Sequence, residues 1–407
     1  MLVSFCAKNH KGLSGNNFSE NSDTLFVADG EQLREGTKQF SGLSRNGEEQ
    51  GDLNLNRSVF VLGDNGSGKS SLIDALYCMT KLVVDGNWYC SGNLKADSTY
   101  RVIITISDEH LAEYEFTVTD HQTIAREKLS VMHKDDKEET LIFDRLHISA
   151  NQTESSDYSD DEKLSFMRTN EYSYWFSKLF TQTDLEKLSV IINGDDDDIL
   201  PLERSNLLLS ECIDYTYNWL FMYGIRDVYR FFENGIKFWT DIKDDSNFFS
   251  NPLFPVGLID DVESMFPCAG YNELSLVLRK ILRKSKSSNL FEKWDKEKIP
   301  NSIRELIRLY TMVAYAKQND ILLVMDDFGD NLSEKYVRNL VRLFLSEIKN
   351  ESQLLATSHK ESCLLSLDCL ENDQFWIMEK GSLICLSEYK NVNKQNRLAL
   401  WEQERFS

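Results

Sequence analysis

The sequence predicts an α/β protein: a layered core carrying an antiparallel β side lobe and an inserted helical lobe. Three observations predict this. The apolar run Ser58-Val-Phe-Val-Leu62 leads directly into a glycine-rich loop, and an amphipathic stretch follows from Lys69. Between Tyr100 and Phe143 the apolar residues fall into short runs broken by charged turns, the pattern of strands. From about residue 302 helix and strand patterns alternate again, as layered α/β proteins require.

The first 62 residues hold β-like runs at Leu2 to Ala7 and Thr24 to Val27, with a Gly/Asn/Ser-rich loop over 36–56. After the glycine loop, Leu72, Ile73, Leu76, Met79 and Val83 recur at 3.6-residue spacing, which predicts a helix from Lys69 to Val84. Runs at Tyr100 to Ile106, Ala112 to Val118, Ile124 to Val131 and Thr140 to Phe143 predict an antiparallel meander. The acidic, polar stretch 150–165 reads as a solvated loop. Residues 166–298 are rich in aromatics, as in Cys212 to Tyr223, and read as the helical lobe. A helix to about Lys317, a strand from Ile321 to Met325, a helix near Ser333 to Lys349 and a strand from Gln353 to Thr357 complete the core. The expected organisation is a first core part at 1–150, the helical lobe at 151–298 and a second core part at 299–407.

Composition narrows the function class. The chain has 407 residues, 41% hydrophobic and 27% charged, as in soluble globular proteins. No apolar run is long enough to cross a bilayer and the N-terminus lacks a signal-peptide layout, so a cytoplasmic protein without a membrane partner is expected. Eight scattered cysteines form no CxxC pair, which points to free thiols and away from a disulfide frame or zinc site. A net charge of −21 disfavours bulk DNA binding. The basic stretch Arg279 to Lys286 reads as a solvated helix end in preference to a DNA groove, and the run Asp195 to Asp198 as a solvated turn in preference to a cation site.

Chemistry concentrates in three places. Gly63-Asp64-Asn65-Gly66-Ser67-Gly68-Lys69-Ser70 satisfies GxxxxGK[ST] between a strand and a helix, the arrangement of a phosphate-binding loop. Gly66 and Gly68 let the backbone curl so that successive N–H groups face a β-phosphate. Lys69 reaches β- and γ-phosphates, Ser70 ligates Mg²⁺, and Ser71 is placed to bond the α-phosphate of ATP. Ile321 to Met325 ends abruptly in Asp326 and Asp327. Carboxylates at the end of an apolar strand need a cation or hydrogen bonds to compensate, so Asp326 is assigned to the Mg²⁺ shell and Asp327 to the attacking water. The strand Gln353 to Thr357 leads into Ser358-His359, about thirty residues after the acid pair, and His359 is read as a γ-phosphate contact.

These motifs, in this order and with an insert between the first and second, resemble the ABC-type ATPase head. Further segments are similar to OLD-like and RloA-like ATPases, including the ATPase of PARIS-type systems. They are the opening Met-Leu-Val-Ser-Phe-x-x-x-Asn9, the meander with Thr99-Tyr-Arg-Val and Glu113-Tyr-Glu-Phe, Ala356-Thr-Ser-His359-Lys-Glu-Ser-Cys-Leu-Leu365, Asn372 to Lys380, and Leu386 to Lys390. The resemblance implies an ATP hydrolase that self-associates, responds to a phage-derived trigger and controls a separately encoded effector, such as a nuclease, in bacterial anti-phage defence. Departures are visible. Asp327 stands where many such heads carry Glu, and Asn301-Ser302-Ile-Arg304-Glu305 stands where a Ser-Gly-Gly-type signature would contact a partner's ATP. The end of the chain lacks a Gly-rich close, and no acidic cluster of TOPRIM nuclease type is present in the sequence. Two alternatives stand beside this reading: a RecF/Rad50-like DNA-repair ATPase, and an ATP-gated scaffold with little turnover.

Overall fold

The computed structural model describes residues 1–13, 25–29, 37–40, 52–86, 97–119, 121–133, 139–148, 164–169, 171–180, 182–193, 206–210, 224–239, 301–346 and 351–403. The acidic run Asp195 to Asp198, the Cys212 to Tyr223 pattern and the basic stretch Arg279 to Lys286 lie outside these residues, as does the side chain of Ser302.

Two sheets share the glycine-loop helix between them. The core sheet is built from β4 (Ser58–Leu62), β11 (Ile236–Phe238), β12 (Leu322–Met325), β13 (Gln353–Thr357), β14 (Phe375–Glu379) and β15 (Ser382–Cys385), in the order β11-β12-β13-β4-β14-β15. All neighbouring pairs are parallel except β14 with β15. A parallel sheet buries both faces, and side chains alternate accordingly. Val59, Val61, Leu322, Val324, Leu355, Trp376 and Met378 enter one hydrophobic core, whereas Phe60, Leu62, Leu323, Met325, Leu354, Ala356, Phe375 and Ile377 enter the other.

The first core is closed by α1 (Lys69–Asp85) and by the antiparallel sheet. That sheet comprises β1 (Leu2–Lys8), β5 (Ser98–Thr105), β6 (His110–Val118), β7 (Ile124–His133), β8 (Thr140–His147), β9 (Leu164–Arg168) and β10 (Tyr172–Ser177), in the order β1-β5-β6-β7-β8-β10-β9. The second core is covered by α4 (Asn301–Asn319), α5 (Glu334–Leu345) and α6 (Glu361–Leu365), with α7 (Arg397–Glu402) beyond α6. Two further helices, α2 (Gln182–Asn193) and α3 (Ile225–Glu233), pack on the first core, and a hairpin of β2 (Thr37–Phe40) and β3 (Leu53–Asn56) adds to it.

The meander extends further than the sequence pattern suggests. Leu164–Arg168 and Tyr172–Ser177, where the helical lobe was expected to begin, form two more antiparallel strands, and Ile236–Phe238 joins the core sheet. The reason lies in Tyr172-Ser-Tyr-Trp-Phe-Ser177. Dense aromatics are compatible with a buried helix, but they also fit a pleated surface, and here every one of the six residues is buried.

Buried polar groups tie the parts together. The Gln353 amide accepts from the Leu2 backbone N–H at 2.6 Å and donates to the Leu2 carbonyl at 2.8 Å, joining β13 to β1 across the two sheets. Glu127 and Arg145 are fully buried 3.8 Å apart. Glu127 also accepts from Tyr114 Oη at 2.9 Å and from the backbone N–H groups of Leu208 and Leu209 at 2.7 and 2.9 Å. The 206–210 segment is thus clamped to the antiparallel sheet, and Ser210 Oγ donates to the Val83 carbonyl at the end of α1. Among the described residues, no helix is long and apolar enough to cross a membrane.

Candidate nucleotide-binding site

The carboxyl ends of β4, β12 and β13 meet at one edge of the core sheet. Register places Met325 beside Ala356, and Thr357 beside Val61, so the residues that follow these strands emerge side by side. Ligands of open α/β sheets gather at this edge.

The loop after β4 is shaped by glycines. Gly63, Gly66 and Gly68 have φ of +141°, +81° and +117°, a region that residues with a Cβ rarely occupy. At Gly63 there is also no room, because a Cβ would lie 2.5 Å from the Met378 carbonyl oxygen. The loop is pinned by the Ser67 N–H to the Asp64 carbonyl (3.2 Å) and by the Gly381 N–H to the Ser67 carbonyl (2.8 Å). Lys69 opens α1, and its buried ammonium turns back to donate to the carbonyls of Gly63 and of Asp64, the latter at 3.0 Å. Ser67 Oγ is buried with no hydrogen-bond partner among the described residues. Asp64, Asn65, Gly66 and Ser70 are exposed, while the Ser71 hydroxyl donates to the Lys11 carbonyl at 3.2 Å.

A curled loop with an orphaned hydroxyl, an ammonium held inside it and exposed backbone at a helix start fits a phosphate group. The acidic side of the edge fits a hydrated divalent cation. Asp326 follows β12 directly, and its Oδ1 accepts a hydrogen bond from the hydroxyl of Thr357. That same hydroxyl accepts from the backbone N–H of Asp327 at 2.9 Å. Thr357 therefore fixes the strand tip and the direction of the Asp326 carboxylate together. Asp327 has φ +55° and carries its carboxylate out to solvent, 3.4 Å from His359 Nε2. Partial desolvation of this half-exposed group, then the neighbouring Asp326 and Asp330 carboxylates, push the Asp327 carboxyl upward from its ordinary value, while His359 and Lys69 oppose the shift.

The structure thus brings the loop residues, Asp326, Asp327 and His359 to one edge. Thr357, Asp330 and the residues that brace α1 carry no local sequence signal of a site. His10, fully buried after β1, bonds Tyr100 Oη at 2.8 Å and Asp74 Oδ2 at 2.7 Å, and Lys11 reaches the same Asp74 oxygen at 2.6 Å. These contacts fasten the turn after β1 to the first turns of α1, behind the loop.

No protein-family model matches the chain, and no curated protein matches it. Among solved structures it is similar to the SMC head domain from Thermotoga maritima, with a TM-score of 0.35 and 11% identity over 86% of this chain and 96% of that one. It is similar to an SMC head bound to the C-terminal winged-helix domain of ScpA, with a TM-score of 0.33 and 11% identity over 88% and 98% of the two chains. An SMC head with an extended coiled coil, bound to the C-terminal domain of ScpA and derived from Pyrococcus furiosus, gives a TM-score of 0.28 and 11% identity over 91% and 99%. At such scores these likenesses carry no functional weight.

Proposed function

We propose that the protein is an ATP-binding ATPase of ABC type whose site is formed by Gly63 to Ser71, Asp326, Asp327 and His359. The observation that carries this reading is the meeting of a GxxxxGK[ST] loop, a strand-end carboxylate pair and a strand-end histidine at one sheet edge. Backbone N–H groups of the loop and the Lys69 ammonium would hold the phosphates, and Ser70 with Asp326 would hold Mg²⁺. When bound, Mg²⁺ supplies charge neutralisation between the phosphates. Asp327 orients the attacking water and takes its proton, and its raised affinity for protons makes it a stronger base than an ordinary aspartate. His359 contacts the γ-phosphate side and reports its loss through β13.

The resemblance to OLD-like and RloA-like ATPases extends this to a cytoplasmic, self-associating subunit that answers a phage-derived trigger and controls a separately encoded effector. That extension rests on sequence segments alone, since function is set by sites and partners and not by fold. Asp327→Asn tests the enzymatic core: turnover of Mg·ATP is expected to fall at least tenfold while ATP affinity holds. Equal turnover would remove Asp327 from the mechanism. Co-purification with the product of the neighbouring reading frame, gained or lost with ATP, tests the effector part.

A further inference from the structure

A second group of side chains gathers beside the loop. Asp327 and Asp330 lie on the turn after β12 and His359 on the turn after β13, and one ligand atom from each lies within 4.8 Å of the others. The separation of 3.4 Å between His359 Nε2 and Asp327 Oδ1 is informative. Two ligands of a tetrahedral ion with bonds of about 2.1 Å stand about 3.4 Å apart, so this pair already has the spacing of one edge of such a site. The turn is preformed: the Phe328 N–H donates to the Thr357 carbonyl at 2.7 Å and the Asp330 N–H to the Asp327 carbonyl at 3.3 Å, and Gly329 takes φ +80° between them. Side-chain exposures of 36% for His359 and 53% for Asp327 leave an ion free to enter. An imidazole nitrogen joined to carboxylate oxygens is the donor set of first-row transition ions, whereas Mg²⁺ takes oxygen ligands and keeps its waters.

We propose that Asp327, Asp330 and His359 form a binding site for a divalent transition-metal ion of the Zn²⁺ class, distinct from the Mg²⁺ position assigned to Ser70 and Asp326. Water completes the coordination. An ion held here engages the Asp327 carboxylate and the His359 imidazole, so metal occupancy and ATP turnover exclude one another. The site itself stands on the three donors and their spacing; the inhibition rests on the ATPase reading above.

The test uses the nucleotide-free full-length chain titrated with Co²⁺, read by its visible absorption, followed by Zn²⁺ displacement and calorimetry. Wild type is expected to bind one such ion per chain at this site. Asp330→Asn and His359→Gln are each expected to weaken binding at least tenfold, with urea midpoints close to wild type. Lys69→Ala, which removes the loop's cation and none of the three donors, is expected to retain the Co²⁺ site. In turnover assays at fixed Mg·ATP, Zn²⁺ is expected to inhibit wild type, while Asp330→Asn keeps its own Zn²⁺-free rate when Zn²⁺ is added. Absence of a Co²⁺ spectrum, or equal affinity in Asp330→Asn and wild type, would overturn the site. Normal metal binding in a wild-type protein that hydrolyses no ATP would support the site and sink the ATPase reading instead.

Discussion

Thr357→Val removes one hydroxyl from the strand tip and nothing else of comparable size. Thr357 is fully buried, and its hydroxyl donates to Asp326 and accepts from the Asp327 N–H. Valine fills nearly the same volume, so little cavity forms. A hydrogen bond to a charged group contributes about 1.5–3 kcal/mol and one between neutral groups about 0.5–1.5 kcal/mol, so the pair is worth roughly 2–4.5 kcal/mol. Urea unfolding followed by tryptophan fluorescence reads this as a lower midpoint at unchanged slope. Function should respond separately. The freed Asp326 carboxylate no longer points in a fixed direction, so the gain in ATP affinity conferred by Mg²⁺ should shrink while Mg²⁺-free nucleotide binding persists. A urea midpoint within error of wild type, together with unchanged Mg²⁺ dependence, would refute the idea that Thr357 organises the acid pair.

Three other outcomes follow from particular contacts. Glu127→Gln leaves the buried Arg145 without its counter-charge and turns an N–H donor toward the amides of Leu208 and Leu209; a loss of about 3 kcal/mol is expected in urea unfolding, and a change under about 1 kcal/mol would contradict it. For His359→Ala, ATP should still bind while its effect on self-association disappears, as seen by sedimentation with and without ATP; intact coupling would remove His359 from that role. The pH dependence of turnover follows from the raised Asp327 carboxyl. It stays protonated where an ordinary aspartate has ionised, so the acid limb of kcat/KM should lie above the ordinary aspartate range and vanish from the residual activity of Asp327→Asn. A group shifted in this direction favours folding below its unfolded pKa and loses that contribution as pH rises through the folded one, so the same variant should unfold at slightly higher urea near neutral pH.

Local chemistry explains what was legible in the sequence. Ser58–Leu62 and Gln353–Thr357 are short apolar runs that end in glycine or polar residues, and buried parallel strands leave that trace. The loop and the acid pair were legible because glycines, lysine and strand-end carboxylates are written consecutively. Tyr172–Ser177 was not, since an aromatic run carries no period when both faces are buried. Thr357 reads as an ordinary β-branched strand residue, and only its neighbour across the sheet reveals what the hydroxyl does. The His10–Asp74–Lys11 brace joins residues about sixty positions apart and has no local signature at all. Asp330 becomes notable only through the fold of the turn that sets it beside His359.

The central claim is that the loop from Gly63 to Ser70 holds ATP through Lys69. Calorimetric titration of Mg·ATP into wild type and Lys69→Ala tests it most directly, with a folding check by urea midpoint. Saturable one-to-one binding is expected in wild type, with at least a tenfold loss in the folded variant and no turnover. Equal affinity and turnover in the two proteins would contradict the assignment.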